Sequence, residues 1–152
     1  VYTHEKIKGL INIGHGEGFG LPLFEAATNG LPLITTNWSG QTDFIKAPNK
    51  SGKIRPLIAK VEFDLKPIQK DAVWPGVLQE DSMWAFPRES AYKRTLRDVY
   101  KGHSRYVGLA KRLQKYIIKN FTAERAYEEF VDAVLPQEEM EWAKQLGSID
   151  VI

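Results

Sequence analysis

Apolar positions fall into three regimes along the chain. Between residues 1 and 47 they come in short runs: Leu10-Ile11-Asn12-Ile13, then Leu21 to Ala27, then Leu31 to Ile34. Leu10 to Ile13 and Leu31 to Thr35 have strand length and are expected to be buried strands. The stretch from Pro22 to Asn29 reads as a helix. Pro22 fits position N1, where a missing N–H leaves no bond unmade, and Gly30 supplies a left-handed stop. Strand, helix, strand predicts a βαβ unit and a parallel sheet.

From 48 to 88 the pattern breaks. Prolines at 48, 56, 67, 75 and 87 interrupt it. An irregular insert of short strands and long loops is expected here, with Trp74 and Trp84 anchoring it on the body. From 89 to 152 the chain reads as helical. Tyr92, Leu96, Val99 and Tyr100 form one stripe, and Tyr106, Leu109, Ala110, Leu113 and Ile117 a second. Ala126, Phe130, Ala133 and Val134 form a third, with Thr122 as N-cap and Pro136 as its end. A last helix is expected over 138–146, closing at Gly147.

Composition narrows the class. A length of 152 residues suits one domain, and 43% hydrophobic with 26% charged residues is a globular balance. The absence of cysteine excludes disulfides and a thiol nucleophile, and fits a reducing, cytoplasmic compartment. No apolar run approaches the roughly 18–20 residues of a membrane span. The start lacks both an initiator methionine and an apolar signal region, so the chain is expected to be a piece of something longer. Nine lysines and arginines between 90 and 120 face one acid, Asp98. This reads first as a solvated outer face, and second as a contact for an anionic membrane surface. Aromatics do not interleave with these charges for base stacking, and the net charge of +2 is small, so no nucleic-acid partner is expected.

The chemistry concentrates in one stretch, His15-Gly16-Glu17-Gly18-Phe19-Gly20-Leu21-Pro22-Leu23-Phe24-Glu25. It leaves a strand and enters a helix, the edge where parallel sheets bind ligands. Carboxylates accept from vicinal hydroxyls, which suits Glu17 and Glu25 to sugar or ribose. Glycines let a ligand approach the backbone closely, and a helix start offers free N–H groups to a phosphate. Sugar, ribose and diphosphate together describe a nucleotide-sugar. Other glycine loops fail on spacing. In a Gly-x-Gly-x-x-Gly frame from Gly14 or Gly16, the last position holds Phe19 or Leu21. No Gly-Lys-Ser/Thr follows for a phosphate loop. Ser39 lacks the glycine two residues earlier that a nucleophile elbow needs, since Asn37 stands there. His4, His15 and His103 are too scattered for a zinc site. Only His15, beside the loop, is a candidate site residue. Trp38 is placed either along the cleft or, in preference, as a loop anchor.

Glu17-Gly18-Phe19-Gly20-Leu21-Pro22-Leu23-Phe24-Glu25-Ala26, followed by Gly30-Leu31-Pro32-Leu33-Ile34-Thr35, resembles the signature of the group-1 retaining glycosyltransferases of GT-B fold. The match runs from 9 to 45 and includes Gly40 and Asp43. The resemblance implies a Rossmann-like parallel sheet flanked by helices, the C-terminal donor-binding half of such an enzyme. Its donor would be a nucleotide-diphosphate sugar, with no separate cofactor and no metal; no Asp-x-Asp occurs. The acceptor would be a glycan, a lipid or a small molecule, held by an N-terminal domain upstream. By resemblance, Glu17 contacts the transferred sugar as the catalytic residue. The backbone of Gly18, Phe19 and Gly20 contacts sugar and proximal phosphate, Leu21 stands beside the diphosphate, and Glu25 holds the ribose, with Gly16 and His15 as further donor-binding residues. The family's basic diphosphate ligands lie upstream, so this chain alone is expected to bind donor weakly and not turn over. The alternatives are a non-catalytic nucleotide-sugar or glycan binding module, and an epimerase or phosphorylase of the same fold.

Overall fold

In the computed structural model, which describes residues 1–134, strands and helices follow in the order β1 (Leu10–Asn12), α1 (Leu21–Thr28), β2 (Leu33–Thr36), β3 (Lys46–Pro48), β4 (Ile54–Pro56), β5 (Ala59–Val61), β6 (Phe63–Pro67), β7 (Met83–Pro87), α2 (Glu89–Lys101), α3 (His103–Asn120) and α4 (Ala123–Val134). The fold is mixed α/β. The expected helix stop at Pro136 and the helix over 138–146 lie outside the described residues.

All four residues of β2 are buried, because the strand is central. β1 and β5 flank it, both parallel, with Leu10 opposite Leu33 and Ile34 opposite Ala59. The predicted βαβ unit is therefore present. α1 buries Leu23, Ala26 and Ala27, an i, i+3, i+4 face, against this sheet. It starts one residue earlier than predicted, so Pro22 occupies the second position. Gly30 takes its left-handed turn, φ 73, as expected. The stretch read as an irregular insert also supplies β5, the third strand of the core sheet. Three residues carry too little pattern to announce a strand.

The rest of the insert is two antiparallel hairpins, β3–β4 and β6–β7. Asn49 shapes the first turn, its Oδ1 accepting from the N–H groups of Ser51 and Lys53. The Arg88 guanidinium donates to Asp64 across the base of the second at 2.9 Å, and this bond holds the Asp64 carboxyl below its usual range. Trp74 does not anchor the insert: it is 64% exposed at the hairpin tip. Trp84 is half-buried and packs against His15.

α2 lies on β5 through Ala91, Thr95 and Val99, with the Thr95 hydroxyl donating to the Lys60 carbonyl at 3.2 Å. Val99 joins Ile34, Ala59 and Val61 in the core. Leu96 and Tyr100, expected to face inward, are exposed. The small Ala91 and Thr95 allow the helix close to the strand, which rotates its larger apolar residues outward. α3 buries Ala110, Leu113 and Ile117 as predicted. Its Gln114 side chain donates to the Thr28 carbonyl at 2.8 Å, satisfying a helix-end acceptor of α1. The nine basic residues of α2 and α3 are exposed. No helix among the described residues is long and apolar enough to cross a membrane.

The contacts group Val1–Ile117 into one compact unit and begin a second at Ile118. Within the second, the Thr122 hydroxyl accepts from Arg125 N–H at 3.2 Å, the N-cap expected for α4. Replacing Leu113, fully buried, by alanine should lower the unfolding free energy by about 2–5 kcal/mol. Ile54→Ala, at a position 65% exposed, should change it by about 0.5 kcal/mol or less. Urea denaturation of the two variants checks the ranking.

Candidate functional site

The glycine loop leaves the C-terminal end of β1 and is fixed from three directions. The first is aromatic. Phe19 turns inward and meets Phe24 of α1 and the fully buried Phe44 at centroid distances of 5.3 and 5.2 Å. The second is Asn12, the last residue of β1. Its Nδ2 donates to Glu17 Oε1 at 2.6 Å while its Oδ1 accepts from Gly14 N–H at 3.0 Å. One amide thus orients the carboxylate and closes the turn leading to it.

The third is the turn after β2. Ser39 Oγ donates to the Glu17 carbonyl at 2.7 Å and accepts from the Glu17 N–H at 3.1 Å. Gly40 N–H also donates to the Glu17 carbonyl, at 3.0 Å. Ser39 holds φ 64, ψ −161 to do so, a region populated almost only by glycine that costs roughly 1–3 kcal/mol. Gly40 must be glycine: a Cβ there would stand 1.8 Å from the Gly18 carbonyl oxygen. The Glu17 backbone is therefore held between two bonds to one hydroxyl and a third to the next residue.

His15 faces away from the sheet toward the β6–β7 hairpin. Its carbonyl accepts from Ala85 N–H at 3.1 Å, and its Nδ1 lies 2.7 Å from the Ala85 carbonyl. The ring stacks on Trp84, centroids 4.8 Å apart and 4° from parallel, with Phe86 tilted at 4.6 Å. Between loop and hairpin opens a cleft of about 420 Å³, lined by His15, Gly16, Glu17, Gly18, Trp38, Ser39, Met83 and Trp84. Its volume lies within the range of small-molecule sites, and its walls mix aromatic and polar groups.

The structure thus brings together His15, Gly16, Glu17 and Gly18. The other residues singled out in the sequence lie beside the cleft rather than along it. Phe19 offers its backbone, its ring being in the aromatic cluster. Gly20 caps α1 at φ 88, and Leu21 is its exposed first residue. Glu25 is exposed on α1, with the Tyr2 hydroxyl in hydrogen-bonding reach. Partial desolvation and the neighbouring Glu25 carboxylate raise the Tyr2 phenol above its usual range. That contact is complete below the ordinary tyrosine pKa and is lost only as pH rises past it. The N–H groups of Gly18, Phe19, Gly20 and Leu21 have no acceptor among the described residues. No group of histidines and acids able to hold a metal occurs among the described residues.

Asn12, Ser39, Gly40, Met83 and Trp84 were not identified as site residues from sequence. Asn12 leaves a signal, a lone amide at the end of an apolar strand. Gly40 falls within the matched signature, whereas Ser39, Met83 and Trp84 reach the loop from 22 or more residues away and leave none. Compared with protein-family profiles, curated proteins and solved structures, the chain matches none.

Ser39→Ala removes two hydrogen bonds and keeps the strained backbone; it should destabilise by about 1–3 kcal/mol. Ser39→Gly loses the same bonds but relieves the strain, so it should be the milder change. Gly40→Ala should be the most damaging of the three. Thermal melts that rank Ser39→Gly below Ser39→Ala in stability would contradict the strain at this turn.

Proposed function

We propose that this chain is a nucleotide-sugar donor domain of a retaining glycosyltransferase, built as the Rossmann-like half of a GT-B enzyme. The observation that carries the reading is the Glu17 carboxylate. It is oriented by Asn12, set in a cleft at the C-terminal end of a parallel strand, and followed by backbone N–H groups without an acceptor among the described residues. A carboxylate accepts from sugar hydroxyls. Exposed N–H groups at a loop and helix start favour a phosphate. The resemblance of residues 9–45 to the family signature supports the same assignment.

Glu17 contacts the transferred sugar. Gly16 and Gly18 let it approach, and Gly18 to Leu21 present N–H groups to the diphosphate. Glu25 then takes the ribose hydroxyls outside the cleft, farther along α1. A carboxylate has about four acceptor sites, so it can serve a diol and keep the Tyr2 contact. The acceptor, a glycan, lipid or small molecule, is supplied by a domain other than this one.

One observation favours binding without turnover in the chain by itself. Among the described residues no lysine or arginine lines the cleft. A leaving diphosphate needs preorganised positive charge, and a helix N-terminus supplies about half an elementary charge. The purified 152-residue chain is therefore expected to bind donor and to show no sugar transfer. Transfer of radiolabelled hexose to any acceptor by this chain would overturn the second half of that statement.

Binding is tested by thermal shift against a panel of nucleoside diphosphates and nucleotide-hexoses. A ligand at a hundred times its Kd should add about 2.7 kcal/mol of stability. Glu25→Ala should abolish the shift with diphosphates and sugars alike, whereas Glu17→Gln should remove only the part the sugar adds. If no member of the panel shifts the wild-type melt, the donor-site reading fails. Gly18→Ala meets nothing within 4 Å in the structure. It should melt like the wild type yet bind more weakly, because its methyl group occupies space kept for the ligand.

A further inference from the structure

The β6–β7 hairpin reaches the cleft from a part of the chain that the glycine loop does not adjoin. The two are joined through His15 and Ala85, 70 residues apart, by a backbone bond in one direction and a side-chain bond in the other. A carbonyl oxygen only accepts, so His15 Nδ1 must carry a hydrogen to donate to it. In the neutral ring that leaves Nε2 with a free lone pair. Trp84 and Phe86 hold the ring plane in place. Met83 and Trp84 then line the cleft beside Glu17, with Trp38 from the turn after β2.

We propose that this hairpin is the sugar-reading wall of the site. Trp84 packs against the C–H face of a hexopyranose, and His15 Nε2 and the Glu17 carboxylate together accept from its hydroxyls. The inference rests on reading the cleft as a donor-sugar site and goes further, assigning sugar selection to residues outside the loop. A hexopyranose fits this surface chemically. Its ring offers a patch of C–H groups to an aromatic wall and hydroxyl donors around its rim. His15 and Glu17 both line the cleft, and two acceptors there suit the hydroxyls of one hexose. Among the described residues no lysine or arginine lines the cleft, so a sugar suits the hairpin side better than a phosphate does. Trp84 acts on the ligand directly, and His15 both reads a hydroxyl and ties the hairpin to the loop.

The test separates sugar binding from nucleotide binding. Isothermal titration of the 152-residue chain with UDP, GDP and ADP, and with UDP-glucose, GDP-mannose and ADP-glucose, gives a sugar increment. That increment is the ratio of the Kd for a diphosphate to the Kd for its hexose conjugate. Trp84→Ala should shrink it about tenfold and leave the diphosphate Kd within about twofold. Trp84→Phe keeps an aromatic ring on His15 and guards against loss of folding; it should retain part of the increment. His15→Asn keeps a donor toward the Ala85 carbonyl but lacks Nε2, and should also shrink the increment. An increment unchanged in all three variants overturns the proposal while the donor site stands. An equal loss of diphosphate and conjugate binding overturns it too, since it reveals a merely structural hairpin. A wild-type chain that binds none of the six ligands overturns both readings.

Discussion

The paired hydrogen bonds between the Ser39 hydroxyl and the Glu17 peptide are the constraint on which the site depends. A loop containing four glycines has little conformational preference of its own. Left to itself it would sample many shapes, and its carboxylate with it. Ser39 removes that freedom by satisfying donor and acceptor of one residue at once, and Gly40 adds a third bond from the following N–H. The strained Ser39 backbone is stable because those bonds offset it. The buried Phe44 then fixes the loop from the sheet side through Phe19. Asn12 needs only to orient a side chain whose backbone is already placed. The carboxylate is preorganised in this way without a charged partner among the described residues. Its electrostatic capacity remains free for a ligand.

Much of the central unit was legible because its signals are local. Glycine punctuation and short apolar runs announced β1, α1 and β2, and the error at Pro22 is one residue. Thr122 was recognisable as a cap because capping acts over three residues. Local signals fail where geometry is set from afar. β5 is three residues long, and only its partner β2 and the helix lying on it make it a strand. Helical periodicity placed a helix where α2 lies but misjudged its inner face. Leu96 and Tyr100 carry more apolar surface than Ala91 and Thr95, yet close approach to a strand favours the smaller pair. Trp74 shows the same limit: its size argues for burial, and its position at a hairpin tip offers nothing to be buried against.

The site divides along the same line. His15, Gly16, Glu17 and Gly18 are consecutive and were read directly from the chain. Glu25, chosen by the same motif, stands apart on the outer surface of α1, where its nearest companion is Tyr2. The parts that convert a loop into a cleft come from three other segments, β1, the turn after β2, and β7. No spacing rule links Trp84 to Glu17. Their association follows from the Ala85 backbone lying alongside His15, a pairing that only the folded chain displays.

That pairing has an evolutionary corollary. Ala85 is fully buried, and its chain neighbours on this ribbon of five residue pairs are the bulkier Trp84 and Phe86. Successive strand residues alternate sides, so a slip of one step exchanges every inward group for an outward one. A single insertion between 68 and 82 that produced such a slip would bring a large ring to the place of a methyl group and turn the aromatic surface at the cleft over. Ligand preference could then drift through loop length alone, with the Glu17 carboxylate left where Asn12 and Ser39 hold it.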